Sequence, residues 1–153
     1  MSLHLYDTAT REISPFIPIE QGRVGIYLCG ATVQAPPHIG HIRSGINFDI
    51  LRRWLIATGY EVTFIRNVTD IDDKIIRRAL ENGESIRTLT DRMIEALHQD
   101  ADALGVERPQ AQPRATDHVS GMLSLIAKLE DKGLAYRSAN GDVNYAVRKF
   151  PGY

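Results

Sequence analysis

Apolar positions along the chain fall into short runs separated by glycine and proline. Residues 24–29, Val-Gly-Ile-Tyr-Leu-Cys, make a run of buried-strand length between Gly22 and Gly30. Pro36 and Pro37 cannot lie inside a central strand, so the chain must turn there. The spacing then changes to threes and fours. Ile42, Ile46, Ile50, Leu51, Trp54 and Leu55 predict a helix with one apolar face, and Gly59 predicts its end. Residues 61–68 return to β-rich sequence with Val62, Phe64, Ile65 and Val68. Strand, helix and strand over about 45 residues predict a βαβ unit: a parallel pair with a right-handed crossover.

Before this unit, residues 3–6 and 13–17 are β-like and flank Asp7-Thr8-Ala9-Thr10-Arg11, which predicts a small hairpin leading into the core. After it, Thr69-Asp70-Ile71-Asp72-Asp73 opens a second helix with Ile71, Ile75, Ile76, Ala79 and Leu80 as its apolar face and Gly83 as its stop. Ser85 starts a longer helix, with Ile86, Leu89, Met93, Leu97, Ala101 and Leu104 inward and Gly105 at its end. His98 falls on its polar side, which predicts a solvated ring. Residues 106–115 carry Pro109 and Pro113 and read as a connector. Asp117 is placed to cap a further helix whose inward residues are Val119, Met122, Leu123, Ile126 and Leu129, and His118 is expected to be exposed. Residues 135–138 and 143–147 flank Asn140-Gly141-Asp142, a strong hairpin signal. No internal repeat or low-complexity segment interrupts this order.

Composition narrows the classes. With 153 residues, 43% hydrophobic and 24% charged, the chain can bury a core of its own. No apolar run has the length of a membrane span and no signal segment opens the chain, so a cytoplasmic protein is expected. One cysteine excludes an intrachain disulfide. A net charge of −1 is not the footprint of a strongly electrostatic nucleic-acid binder. The pairs Arg52-Arg53 and Arg77-Arg78 are expected on solvated helix faces.

The chemistry gathers where the first strand ends. His38-Ile39-Gly40-His41 lies at the turn into the first helix, where free N–H groups and the helix dipole favour an anion. Gly40 removes a side chain where a phosphate would approach, and histidine nitrogens can donate to phosphate oxygens. Alone, the tetrapeptide is equally a pair of solvated turn histidines. Cys29 alone is equally a small buried apolar residue. Asp70, Asp72 and Asp73 suit capping, with Thr69 paired to Asp72 or Asp70 to Asp73; paired catalytic carboxylates or a magnesium site are the sharper reading. Ligands of such sheets bind beyond the carboxyl ends of the strands, so Cys29 and residues 67–69 should converge on one crevice.

Two linked stretches carry a resemblance. Cys29-Gly30-Ala31-Thr32-Val33 followed by His38-Ile39-Gly40-His41 resembles the first signature of class I aminoacyl-tRNA synthetases, and specifically that of cysteinyl-tRNA synthetases. Residues 65–75, Ile-Arg-Asn-Val-Thr-Asp-Ile-Asp-Asp-Lys-Ile, are similar to a second block of that family at a matching distance. Gln34-Ala35 depart from the Tyr-Asp that the family often has there. The resemblance implies an α/β fold: the Rossmann-like parallel sheet of the N-terminal half of a catalytic domain over residues 1–115, and the start of an inserted domain over 116–153. It implies a ligase that activates cysteine with ATP and magnesium, giving cysteinyl-adenylate, and transfers it to tRNA(Cys). His38, Gly40 and His41 would bind ATP, with the two histidines catalytic. Thr32 and Thr69 would line the cysteine pocket. Cys29 would be a zinc ligand, because a soft thiolate distinguishes cysteine from serine where shape cannot.

The family's Lys-Met-Ser-Lys-Ser signature and its remaining zinc ligands, a Cys, a His and a Glu, have no counterpart in these residues. The chain is therefore expected to be a fragment, inactive alone. Three alternatives remain open: a sister ligase that passes cysteine to an amino-sugar, a nucleotidyltransferase sharing the His-x-Gly-His turn, and a non-catalytic paralogue that binds nucleotide or a partner protein.

Overall fold

The computed structural model describes residues 3–153. At its centre β3 (Arg23–Leu28) and β4 (Glu61–Arg66) pair in parallel, with Arg23 opposite Glu61 and Leu28 opposite Arg66. Strand alternation buries Val24 and Leu28 on one strand, Val62 and Phe64 on the other. Between them runs α1 (Ile39–Ala57), completing the expected βαβ unit. The hairpin of β1 (His4–Asp7) and β2 (Glu12–Pro15) is antiparallel and leads into Phe16, which meets Tyr60 edge-on at 6.0 Å. These residues pack with Val24, Leu55 and Val62 in one apolar cluster.

A second cluster lies beyond the strand ends. Ala31, Val33 and Val68 meet Ile75 and Ala79 of α2 (Asp73–Asn82) and Leu89, Met93, Ile94 and Leu97 of α3 (Ile86–Ala103). Ser85 accepts from Thr88 N–H as the N-cap of α3. Each buried Val, Ile, Leu or Met of this cluster contributes about 1.5–3 kcal/mol. The helix periods located these elements but overstated their inward faces: Ile71, Ile76, Leu80 and Leu104 are exposed.

On α1 the departure has a polar cause. Ile50 and Trp54 face outward, and Asp49 and Arg52 are buried in their place. The loop after α3 lies across that face. Asp49 accepts from Glu107 N–H at 3.1 Å and from Arg53 Nε at 2.7 Å. Arg52 donates to the Arg108 carbonyl at 2.9 Å, pairs with Glu107 at 3.4 Å and sits over the Phe64 ring. Arg52 is thus not the solvated residue its sequence context implied, whereas Arg77 and Arg78 are exposed. Charge buries only when paired, and the loop supplies the partners.

Residues 106–115 are more than a connector. They run along the free edge of β4, forming parallel bridges from Ile65 to Ala111 and from Val68 to Arg114. Gln110 completes the ladder with its side chain, accepting from Phe64 N–H at 2.8 Å and donating to the Val62 carbonyl at 2.9 Å. Pro109 and Pro113 lack N–H groups, which is why the sequence does not read as a strand.

Beyond it, a 3-10 turn (Ala115–His118) enters α4 (Val119–Asp131), followed by the antiparallel hairpin of β5 (Ala135–Arg137) and β6 (Val143–Tyr145). Asp117 caps nothing: the turn continues directly into α4, and His118 occupies the cap position without a side-chain bond. Val119, Met122 and Leu123 are exposed while Ile126 and Leu129 are half-buried, so among the described residues the expected inward face of α4 is covered only toward its C-terminal half. No helix of the described residues is long and apolar enough to cross a membrane.

Candidate active site

The segments leaving β3 and β4 stay together. Thr32 and Thr69 form a parallel bridge: Val33 N–H donates to the Thr69 carbonyl at 3.2 Å, and Thr69 N–H donates to that of Ala31 at 3.1 Å. Gly30 N–H donates to Asn67 Oδ1 at 2.6 Å. A Cβ on Gly30 would overlap the Asn67 carbonyl, so only glycine permits this approach. Both sequence blocks therefore meet at the carboxyl ends of the strands, as the topology requires. Asn67 and Arg66, in the second block, had no role assigned from sequence; the signal available was an amide and a cation at the end of a parallel strand.

A crevice of about 340 Å³ opens there, lined by Gly30, Thr32, Gln34, Pro36, His38 and His41 among others. Thr69 is half-buried and Cys29 is exposed at the end of β3; neither lines it.

The histidines are ordered by the helix they open. His38 is the N-cap of α1, and its Nδ1 accepts from Gly40 N–H at 3.1 Å. His41 Nδ1 accepts from His38 N–H at 3.2 Å, closing a reciprocal capping box. The rings lie 3.9 Å apart, tilted by 36°. A ring that accepts at Nδ1 carries its proton on Nε2. The N–H groups of His38 and Gly40 are thus occupied by the rings, and each ring keeps an Nε2–H group as its remaining donor. Burial, then His38 and Arg66, hold His41 below the ordinary histidine value. A Cβ on Gly40 would come within 2.9 Å of His38 Cε1, so Gly40 keeps the box closed rather than making room for a ligand alone.

The acidic cluster divides. Asp72 is the N-cap of α2, accepting from Lys74 N–H at 2.8 Å, and Asp73 lies in the first turn. Asp70 does not cap: it is 1% exposed, and its oxygens accept from Thr116 N–H at 3.0 Å and Thr116 Oγ1 at 2.6 Å. His98 is half-buried against Gln112 at 2.7 Å, not solvated. Among the described residues, no group of three or more His, Cys, Asp or Glu could hold a metal ion.

A parallel pair joined through a histidine-capped helix, with a crevice at the strand ends, is the arrangement that the resemblance to class I synthetases implied. The model of the family "tRNA synthetases class I (C) catalytic domain" matches residues 15–153, and the chain belongs to that family. Cysteine–tRNA ligases are its similar curated relatives. Those of Variovorax paradoxus (strain S110) and Delftia acidovorans (strain DSM 14801 / SPH-1) are 65% and 63% identical over 153 residues, all of this chain. That of Albidiferax ferrireducens is 64% identical over the same span. The chain spans about a third of the length of these relatives, 33% in each case. Among solved structures, a LeuRS of Agrobacterium radiobacter K84 in a ternary complex with tRNA and LeuAMS matches 80% of this chain and 16% of its own, with a TM-score of 0.67 and 23% identity; it shows the fold alone.

Proposed function

We propose that this chain supplies the phosphate-facing part of a cysteine–tRNA ligase. The observation that carries the reading is the His38–His41 box, which engages both Nδ1 atoms in the helix cap and fixes two rings in the lining of a crevice formed by the first sequence block. In the proposed reaction the cysteine carboxylate attacks the α-phosphate of ATP, and pyrophosphate leaves. A tRNA ribose hydroxyl then takes the cysteinyl group. No protein nucleophile is needed. His38 and His41 donate to phosphate oxygens as charge develops, without reorganising, because the cap already fixes their rings.

Thr32 borders the crevice, and Thr69 acts through the bridge that places Thr32. Magnesium would accompany ATP. Cys29 provides one of the four donors that zinc prefers, exposed beside the crevice, and the other three would come from the remaining two-thirds of a protein as long as its relatives. Such a zinc would bind the substrate thiol as its thiolate. We further infer a complete Rossmann-like domain in that longer protein, with residues 1–115 its first half and residues 116–153 the start of an insertion. The test is cysteine-dependent ATP–pyrophosphate exchange and charging of tRNA(Cys) by the intact protein. His41→Ala should slow exchange on the order of a hundredfold. Exchange that ignores cysteine would refute the ligase, and an unchanged rate in His41→Ala would remove the histidine from the chemistry.

A further inference from the structure

Arg66 ends β4 on the side of the sheet that faces α1. A Cβ on Gly45 would come within 3.2 Å of Arg66 Nη1, so the guanidinium is seated against that glycine. Gly45 lies one helical turn beyond His41 on the same face of α1. His41, Gly45 and Arg66 together line a small, partly open space of about 30 Å³ with His98 and Gln112. Among the described residues Arg66 forms no ion pair, and its Nε is buried without a hydrogen-bond partner. A half-buried cation with nothing to neutralise it is costly. Its position behind a histidine of the site suggests what it does there.

We propose that Arg66 is a positioning residue for His41: its unpaired guanidinium, seated on Gly45 one turn below the ring, holds His41 as the neutral Nε2–H donor that closes the capping box. This rests on the reading of the crevice as a phosphate site. Protonated His41 would carry a hydrogen on Nδ1, facing His38 N–H, and donor would meet donor. A nearby permanent positive charge opposes that protonation. Arg66 is one of the groups that lower the His41 pKa, after burial and His38. The other charged or titratable groups around the space do not favour an imidazolium. His38 shares the turn, and His98 of α3 is held by Gln112. Glu107, from the loop after α3, is committed to Arg52 and Arg53, and Arg108 to Asp102. His41 thus stays in one protonation state across neutral pH, and the donor geometry does not change with it.

The test uses the intact protein. The pH profile of cysteine-dependent ATP–pyrophosphate exchange is recorded for the wild type, Arg66→Gln and Arg66→Lys between about pH 5.5 and 8.5. Arg66→Gln should move the acid limb to higher pH and leave the alkaline plateau within about twofold. Arg66→Lys, which keeps the charge, should restore the wild-type limb. A uniform loss at every pH, with the limb unmoved, would make Arg66 merely structural and overturn the proposal. The His41 Cε1–H signal, assigned by its loss in His41→Asn, gives the same pKa comparison by NMR without any activity. If exchange is absent, the ligase reading fails while this titration still decides the role of Arg66. If Arg66→Gln does not fold, Arg66→Met, which keeps the aliphatic stem and removes the charge, takes its place; an unshifted His41 titration there is equally fatal.

Discussion

Replacing Asp70 tests how the site is tied to the rest of the chain. Its carboxylate is 1% exposed and receives two hydrogen bonds from Thr116, at 3.0 Å from the amide and 2.6 Å from the hydroxyl. It follows Thr69, whose backbone is laced to Ala31 and Val33. Asp70 therefore pins the turn before α4 onto the end of β4. Hydrogen bonds to a charged group contribute about 1.5–3 kcal/mol each, and truncation also leaves the half-buried Thr116 donors without this partner. Allowing for relaxation, Asp70→Ala should weaken local closure by about 2 kcal/mol, roughly a thirtyfold faster opening. Hydrogen exchange of a peptide over residues 111–117 reads this directly, since Ala115 N–H is bonded to Val68 and Thr116 N–H to Asp70. Thr116→Val, which keeps the amide bond, should open about fivefold faster, and the double variant should show coupling of about 1 kcal/mol. Exchange in Asp70→Ala within twofold of the wild type, or zero coupling, would refute the pinning argument.

Two further outcomes follow from the site. Gly30→Ala places a methyl group into the Asn67 carbonyl, so backbone must move; the cost is about 1–3 kcal/mol in a urea midpoint, with loss of cysteine-dependent exchange. A variant with normal midpoint and exchange would show that the two segments need not approach so closely. The His41 pKa lies below the ordinary value of 6.5, so the unfolded chain takes the proton first as pH falls. Stability should therefore decline as pH drops through about 6.5 and level off below the folded pKa, and His41→Asn should remove that component from a urea midpoint measured against pH. A wild-type midpoint with the same slope in His41→Asn would contradict it.

The order of elements was legible because it depends on local patterns. The run at residues 24–29, the prolines at 36 and 37, the helical spacing after Ile42 and the Asn-Gly turn each reflect nearest-neighbour chemistry, and β3, α1, β4 and the last hairpin lie where those patterns place them. Convergence of Cys29-Gly30 with residues 67–69 was also legible, because a parallel βαβ unit leaves both strand ends on one side. Tertiary structure alone decided what those patterns could not carry. Periodicity marks a helix but not its cover: α1 buries Asp49 and Arg52 because a distant loop brings Glu107 and the Arg108 carbonyl to them. Residues 106–115 join the sheet because Gln110 replaces with its amide the ladder bonds that flanking prolines cannot make. Asp70 looked like a cap, and became a buried anchor only when Thr116 arrived from 46 residues away. The histidine pair was visible as a motif, but its chemistry was not. Which nitrogen carries the proton, and which donor faces the crevice, depends on ring orientation, and that exists only once the capping box has closed.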